Sequence, residues 1–288
     1  MIRLALRVDR AHAELVLAEL LELAPGGVEE VELGDEVEYA IYGPPGELPE
    51  LPALDAAVGG VGGALVSVTT RELPDDWSER WKAFHRPLVL AGDDGPALAV
   101  RPPWEAEIGA AVELVIDPAQ AFGTGAHATT RLCLELLLEL ARRDGPRGAV
   151  VDVGCGSGVL AIAAARLGWG PVVAVDHDPL AVEATRANAA VNGVALDARR
   201  GDLRHEPMPA APTVLANLLR PLLLDYAAKA AAAARAAVPG EPPIETLIAS
   251  GLLVHEADEV AAAFARQLGL REAARRERGE WAALLLSA

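Results

Sequence analysis

Cysteine is scarce in this 288-residue chain, and the scarcity excludes two kinds of site. The only two cysteines, Cys133 and Cys155, lie in different segments. A disulfide framework or a cysteine-ligated metal cluster needs more cysteines at closer spacing. Neither is expected, and no metal site is predicted.

Long apolar runs are also missing. Hydrophobic residues make up 52% of the chain, which is ample for a packed core. However, no stretch of about 18 uncharged apolar residues is present to span a membrane. The chain begins Met-Ile-Arg-Leu-Ala-Leu-Arg-Val, which alternates like a strand and lacks the apolar block of a signal peptide. We therefore expect a cytoplasmic protein with no membrane partner.

Basic residues are in deficit. The 25 Lys and Arg residues are outnumbered by 42 Asp and Glu, which gives a formal net charge of −17. Binding to a nucleic-acid backbone needs a basic surface, so nucleic acid is not expected as a direct partner. An acidic surface would steer a cationic protein toward it. Solubility alone explains the charge equally well, and the composition leaves both explanations open.

Residues 1–72 carry a pattern of their own. Strands are predicted at Ile2–Val8, Val28–Leu33, Glu36–Tyr42 and Ala64–Arg71, with helices at Ala11–Leu23 and Leu48–Val58. The order β-α-β-β-α-β is that of a small α+β ferredoxin-like sandwich. Because no cluster of carboxylate, His or Cys residues stands out here, we interpret this region as a substrate-recognition domain. Residues 73–87 are predicted to form a linker helix with Trp77, Trp81 and Phe84 on one face.

Residues 88–288 have an α/β pattern. Two or three strands lead to Val112–Ile116, and a helix then runs to about Arg142. Further strands are predicted at 149–153, 171–176, 195–199, 212–217 and 244–250, and helices at 157–167, 179–191, 219–237 and 255–267. Two strands, 270–277 and 281–287, end the chain as an antiparallel hairpin. This order predicts a Rossmann-like, doubly wound sheet with one reversed strand.

The glycine-rich segment Val150–Leu160 indicates a bound cofactor. An apolar strand leads to an acid, a G-x-G-x-G turn and an Ala-rich helix. Gly154 and Gly156 would let the backbone approach a ligand, and ligands of such sheets bind at the carboxyl ends of strands. The third glycine comes one residue too early for the pyrophosphate fingerprint G-x-G-x-x-G. S-adenosylmethionine has no pyrophosphate and is the cofactor we expect.

Two strand ends carry further polar side chains. Asp176 ends an apolar strand about 20 residues after the glycine loop, where an acid accepts both hydrogen bonds of a ribose diol. Gly201-Asp202 follows the next strand and either faces the adenine or forms a turn. Asn217 ends the strand after that, where its carbonyl would accept a hydrogen bond from an amine and orient the nitrogen lone pair toward a methyl group. A capping role is the alternative for Asn217.

Segment Asp117–Thr130 carries a family resemblance. It resembles the D-P-x-x-A-F-G-T-G-x-H-x-T-T signature of the ribosomal protein methyltransferases of the PrmA type, which methylate the eleventh protein of the large ribosomal subunit. Other matching segments follow in the same order: Asp152–Leu160, Val175–Pro179, Asn188–Gly193 and Ala216-Asn217. The resemblance covers about residues 73–288. It implies a class I S-adenosylmethionine-dependent methyltransferase fold for the catalytic domain, residues 88–288.

The resemblance also implies roles for individual residues. Thr130, Gly154, Asp176 and Asn217 would bind S-adenosylmethionine, and Thr129 and Asn217 would border the target amine. The methylated groups would be Lys side chains and the N-terminal α-amine of a large-subunit ribosomal protein. We expect the enzyme to be a monomer.

Several alternatives stay open at this stage. His127 is either a general base or a structural residue at a helix start. Cys155 is not needed as a nucleophile, since methyl transfer uses no covalent enzyme intermediate. The target is alternatively the β subunit of electron-transfer flavoprotein, or RNA, which the acidic charge disfavours. A cofactor-binding adaptor without catalysis is the remaining alternative, against which the intact Thr129, Asp176 and Asn217 argue.

Overall fold

The structure is a computed structural model that describes residues 2–13, 16–17, 20, 28–43, 65–72, 85–92, 95–117, 127–143, 145, 147–236 and 243–288. The predicted helix Leu48–Val58, most of the linker 73–87 and residues 118–126 of the signature lie outside these residues. Two compact units divide between residues 84 and 85. Over the described ranges, no helix is both long and apolar enough to cross a membrane.

The first unit contains an antiparallel sheet of four strands: β1 (Ile2–Asp9), β2 (Glu29–Leu33), β3 (Glu36–Gly43) and β4 (Leu65–Glu72). Their spatial order is β2-β3-β1-β4. Strand β3 runs antiparallel to both β1 and β2, so these two are parallel with β3 between them, as in a split β-α-β unit. The ferredoxin-like arrangement as a whole stays a prediction, because one of its helices lies outside the described residues.

Alternation of apolar residues gives this small sheet one buried face. The alternating buried residues are Leu4, Leu6 and Val8 of β1 and Val37, Tyr39 and Ile41 of β3. The described helical residues between 13 and 20 pack in the same core, as the helical spacing predicts. The Tyr39 hydroxyl donates a hydrogen bond to the Ala13 carbonyl oxygen at 3.0 Å, so its one buried polar group is satisfied.

The second unit begins with a three-stranded sheet, β5 (Leu88–Gly92), β6 (Gly95–Arg101) and β7 (Val112–Val115). The helices that follow are α1 (Ala128–Ala141), α2 (Val159–Arg166), α3 (Pro179–Val191), α4 (Arg220–Ala236) and α5 (Ala257–Leu268). They alternate with β8 (Val150–Val153), β9 (Val172–Asp176), β10 (Asp197–Arg200), β11 (Thr213–Asn217), β12 (Thr246–Leu253), β13 (Arg271–Arg278) and β14 (Trp281–Ser287).

The larger sheet is mixed, with the order β10-β9-β8-β11-β12-β14-β13. Strands β8 to β12 run parallel, and β14 is antiparallel to both of its neighbours. Successive residues of the central strands face opposite layers of helices. Val150 and Leu215 pack in the core that contains α1, α2 and α3, whereas Val151 and Val214 pack with α4 and α5. The central parallel strands β8, β9, β11 and β12 are therefore buried on both faces and are mostly apolar, whereas the edge strand β10 is largely exposed and charged.

Candidate active site

From β8 the sheet continues to β9 and β10 on one side and to β11 and β12 on the other. The change of direction between β8 and β11 predicts a ligand-binding crevice at this point. In such sheets ligands bind outside the carboxyl ends of the strands, where helices diverge to opposite faces. The glycine loop follows β8, Asp176 ends the neighbour β9, and Asn217 ends the neighbour β11. Two inter-strand spacings, roughly 10 Å, separate Asp176 from Asn217. The candidate cofactor residues thus line one edge of the sheet.

The turn after β8 needs glycine at its first position. Gly154 has a φ of +75°, a left-handed conformation that a residue with a side chain adopts only with strain. A Cβ atom on Gly154 would also overlap with the Leu218 side chain, which follows Asn217. The amides of Gly154 and Cys155 both donate to the Val175 carbonyl oxygen, at 2.8 and 3.1 Å. The loop is therefore tied to β9, and it packs so closely on Leu218 that position 154 has no room for a side chain.

Asp176 is held in place by backbone amides. Its side chain is mostly buried, with the residue only 8% exposed. One carboxylate oxygen accepts a hydrogen bond from the Gly156 amide at 2.9 Å, and the other accepts from the Asp178 amide at 3.0 Å. Each oxygen has a second lone pair for a further donor. These two amides orient the carboxylate, and its remaining lone pairs can accept hydrogen bonds from hydroxyl groups; the oxygen that accepts from Asp178 also lies 3.2 Å from Nδ1 of the exposed His177.

Asn217 lies beside Thr130, the buried residue in the first turn of α1. Its Nδ2 atom donates a hydrogen bond to the Thr130 hydroxyl oxygen at 3.4 Å. Strand β11 is in register with β12 at Asn217 and Ser250, and the next amide, of Leu218, donates to the Ser250 carbonyl at 2.9 Å. The side-chain amide of Asn217 is therefore fixed at the end of β11. It lies next to Thr130, to which the resemblance assigns a role in cofactor binding.

His127 caps α1. Its Nδ1 atom accepts a hydrogen bond from the Thr129 amide at 3.3 Å and lies 2.7 Å from the Thr129 hydroxyl oxygen. The ring packs edge-on against Trp281, with 4.9 Å between the ring centroids. Burial lowers the pKa of His127, which favours a neutral ring. Because Nδ1 serves the helix start, the geometry favours the structural role for His127 over the role of general base.

Asp152 is a second carboxyl group near the loop. Its side chain is fully buried on β8, and one oxygen accepts a hydrogen bond from the Ala161 amide at 3.0 Å. Over the described ranges, the other oxygen has no hydrogen-bond partner. Burial raises the pKa of Asp152 to about 7; the Ala161 bond opposes this rise, and the negative charge of Asp176 adds to it.

Other polar residues at this edge have more ordinary roles. One Asp202 carboxylate oxygen accepts a hydrogen bond from the Arg204 amide at 2.9 Å, so this side chain closes its own turn. Both cysteines are buried, and burial raises the pKa of each thiol, which disfavours Cys155 as a nucleophile. The structure thus favours the turn role of Gly201-Asp202.

Two residues that the sequence interpretation did not assign also contact the glycine loop and the end of β7. They are Asn188 of α3 and Asn192, the residue that follows this helix, and their side chains bond to the backbone of Ser157, Val115 and Asp117. The available signal was two uncharged amides four residues apart in an otherwise Ala-rich helix. Residues 118–126 of the Asp117–Thr130 signature lie outside the described residues.

Gly251 gives a stability prediction at the same edge. Its φ is +85°, and an added Cβ atom would lie 2.7 Å from the Leu218 carbonyl carbon and closer still to the oxygen. We expect Gly251→Ala to lower the free energy of unfolding by about 3 kcal/mol, from backbone strain and overpacking together. Chemical denaturation measures this loss.

Gly269 supplies the matched control. It has a φ of +76° with nothing within 4 Å of the added Cβ atom. Gly269→Ala should therefore cost only about 1 kcal/mol, from the backbone term alone. Equal losses for the two variants would contradict a tight approach of Gly251 to Leu218.

Comparisons with known proteins identify the family. The family model described as Ribosomal protein L11 methyltransferase (PrmA) matches residues 53–288. The ribosomal protein L11 methyltransferase of Pelotomaculum thermopropionicum is 43% identical over 227 residues, which cover 77% of this chain and 69% of that protein. The one of Dechloromonas aromatica is 35% identical over an alignment of 301 residues, which covers 96% of this chain and 95% of that protein.

A solved structure shares the fold. The ribosomal protein L11 methylase from Lactobacillus delbrueckii subsp. bulgaricus has a TM-score of 0.54 and 30% identity, and the match covers 66% of this chain and 94% of that one. The mixed sheet with helices on both faces is the fold of class I methyltransferases. The chain belongs to the ribosomal protein L11 methyltransferase (PrmA) family.

Proposed function

We propose that this methyltransferase transfers methyl groups from S-adenosylmethionine to amines of a large-subunit ribosomal protein, at Lys side chains and the N-terminal α-amine. The observation that carries the proposal is the amide of Asn217 at the end of β11. Its Nδ2 atom is engaged by Thr130 at 3.4 Å. Over the described ranges, its Oδ1 atom has no hydrogen-bond partner and is left to accept from a substrate N–H.

The residues present fit S-adenosylmethionine. When bound, this cofactor supplies a methyl group on a positively charged sulfonium, which is an already activated donor. Asp176 would accept hydrogen bonds from the ribose hydroxyls, while Gly154 and Gly156 would allow the backbone to approach the cofactor. The Asp176 carboxylate, which the Gly156 and Asp178 amides hold at the end of β9, is the observation that supports this fit.

Asn217 suits a neutral amine acceptor. A Lys ammonium must lose its proton before its nitrogen can attack a methyl carbon, and burial in apolar surroundings lowers its pKa. A neutral amide orients the amine through a hydrogen bond without stabilising the charged form, whereas a carboxylate at this place would stabilise it. Thr129 is proposed to border the same amine. The chain then acts chiefly by alignment and exclusion of water, and needs no dedicated base.

The small N-terminal unit is proposed to recognise the protein substrate. We assign residues 1–72 as a ferredoxin-like recognition domain, residues 73–87 as a linker and residues 88–288 as the catalytic domain. The strand order β2-β3-β1-β4 supports the ferredoxin-like assignment. Separate recognition and catalytic units would allow several amines of one substrate to be presented in turn.

Labelling tests the substrate assignment. The protein is incubated with methyl-labelled S-adenosylmethionine and with ribosomes and free ribosomal proteins from cells that lack this enzyme, and labelled peptides are identified by mass spectrometry. We expect label on Lys side chains and the N-terminal α-amine of the eleventh large-subunit protein. The β subunit of electron-transfer flavoprotein and ribosomal RNA are included as competing acceptors. Label on either of these, without label on the ribosomal protein, would contradict the proposal.

A further inference from the structure

The asparagine Asn192, near the end of α3, pairs with the backbone of a distant strand. Its Oδ1 atom accepts a hydrogen bond from the Val115 amide at 2.8 Å, and its Nδ2 atom donates to the Val115 carbonyl oxygen at 2.7 Å. Nδ2 also donates to the Asn188 carbonyl oxygen at 2.7 Å. One side-chain amide thus satisfies both backbone groups of Val115.

Asn188 joins two different loops. Its Oδ1 atom accepts a hydrogen bond from the Asp117 amide at 3.0 Å, and its Nδ2 atom donates to the Ser157 carbonyl oxygen at 2.9 Å. Ser157 belongs to the glycine loop after β8, and Asp117 follows the end of β7. The two asparagines are only 3% and 8% exposed. A buried side-chain amide without hydrogen bonds would destabilise the fold, so these bonds keep both asparagines in one orientation.

The side-chain amides of Asn188 and Asn192 are spaced along the helix axis like the backbone amides of Val115 and Asp117 along β7. Strand β7 is the edge of its sheet, and the Ile116 amide donates to Arg101 of β6 at 2.9 Å. The amides of Val115 and Asp117 therefore face away from β6, and they donate instead to the Oδ1 atoms of Asn192 and Asn188. Four residues along a helix rise about 6 Å, and two residues along a strand rise about 6.6 Å. Asn188 and Asn192 thus replace the missing neighbour strand.

We infer that Asn188 and Asn192 are positioning residues of the methyltransferase site, which hold the end of β7 in one register against the glycine loop. The inference rests on the proposed binding of S-adenosylmethionine at that loop. Loss of the Asn188 side chain would release both the Ser157 carbonyl of the glycine loop and the Asp117 amide after β7. The pair would therefore set the shape of the cofactor site without touching the cofactor.

Calorimetric titration of the full chain with S-adenosylmethionine tests the inference, with the melting temperature measured in parallel. Asn188→Asp is nearly isosteric and keeps the acceptor for the Asp117 amide, but it turns the contact with Ser157 into oxygen–oxygen repulsion. Asn188→Ala removes both bonds. We expect either variant to raise the dissociation constant about tenfold, because the loop is no longer held. The KM for the cofactor should rise, with little change in kcat at saturation.

Phe264→Leu is the control for a loss of stability alone. Phe264 is fully buried between α5 and the opposite face of the sheet, among residues that do not include the glycine loop. It should lower the melting temperature and leave the cofactor dissociation constant unchanged. Asn188 variants that behave like Phe264→Leu, while the unsubstituted protein binds normally, would overturn the positioning role alone. Failure of the unsubstituted protein to bind S-adenosylmethionine would instead overturn the proposed function on which the inference rests.

Discussion

Asn217→Ala is expected to lower kcat for methyl transfer about 100-fold, because an amine that is no longer oriented at the methyl carbon reacts from misaligned geometries. The amide lies at the end of β11 with its nitrogen on Thr130, so truncation removes a fixed acceptor. The dissociation constant for S-adenosylmethionine should change much less than kcat. Single-turnover kinetics with saturating cofactor and the methyl-accepting protein measure the effect.

Two further variants separate orientation from other causes. Asn217→Asp keeps the shape but places a carboxylate near the amine, which stabilises the ammonium form and raises the amine pKa. The rising limb of its pH–rate profile should therefore move to higher pH. Thr213→Val alters the buried residue at the other end of β11 and should leave kcat unchanged. An Asn217→Ala enzyme with normal kcat would remove the amide from the mechanism.

Much of the second unit could be predicted because the central strands of its larger sheet are buried on both faces. Pairs such as Val150 and Val151 face opposite helical layers, so the strands appear in the sequence as short apolar runs between glycine turns. The boundaries were less predictable. Helix α2 begins at Val159 rather than at the predicted Ser157, because the turn after β8 continues to Gly158, which has a left-handed backbone conformation.

Long-range pairing explains the other differences. Strand β12 extends to Leu253, three residues beyond the prediction, because its pairing with β14 resumes after a bulge near Gly251. A bulge depends on the partner strand, which lies elsewhere in the sequence. The edge-on contact of Trp281 with His127 likewise joins residues that are far apart in the sequence, and it could not be predicted for that reason.

In the candidate site, too, the features with a local sequence pattern were predictable and those that depend on long-range contacts were not. Asp176 and Asn217 were predictable as polar residues that end apolar strands, since the ends of parallel strands meet at one edge. The contacts of Asn188 and Asn192 with the end of β7 were not, because Val115 and Asp117 lie more than 70 residues away along the chain. A polar residue in a helix is usually on the solvent side, and only the fold reveals that β7 lacks a neighbour there.

Asp176→Asn is expected to raise the dissociation constant for S-adenosylmethionine about 100-fold, because the ribose hydroxyls lose a charged acceptor. The amide nitrogen of the new side chain would also face a backbone donor, either Gly156 or Asp178, where an oxygen now accepts. The affinity loss therefore has two contributions, one from the ribose and one from the loop. Titration of both proteins with S-adenosylhomocysteine and with its 2′,3′-dideoxy analogue separates them.

The unsubstituted protein should bind the dideoxy analogue far more weakly than S-adenosylhomocysteine, since the analogue lacks the two hydroxyls from which Asp176 would accept hydrogen bonds. The Asp176→Asn variant should discriminate much less between the two ligands, because the substitution has already removed the carboxylate that accepts from the ribose hydroxyls. If instead both proteins lose the same factor with the analogue, the ribose hydroxyls bind elsewhere. Asp176 would then act only through the Gly156 and Asp178 amides, as an organiser of the loop, and the diol would need another acceptor at this edge of the sheet.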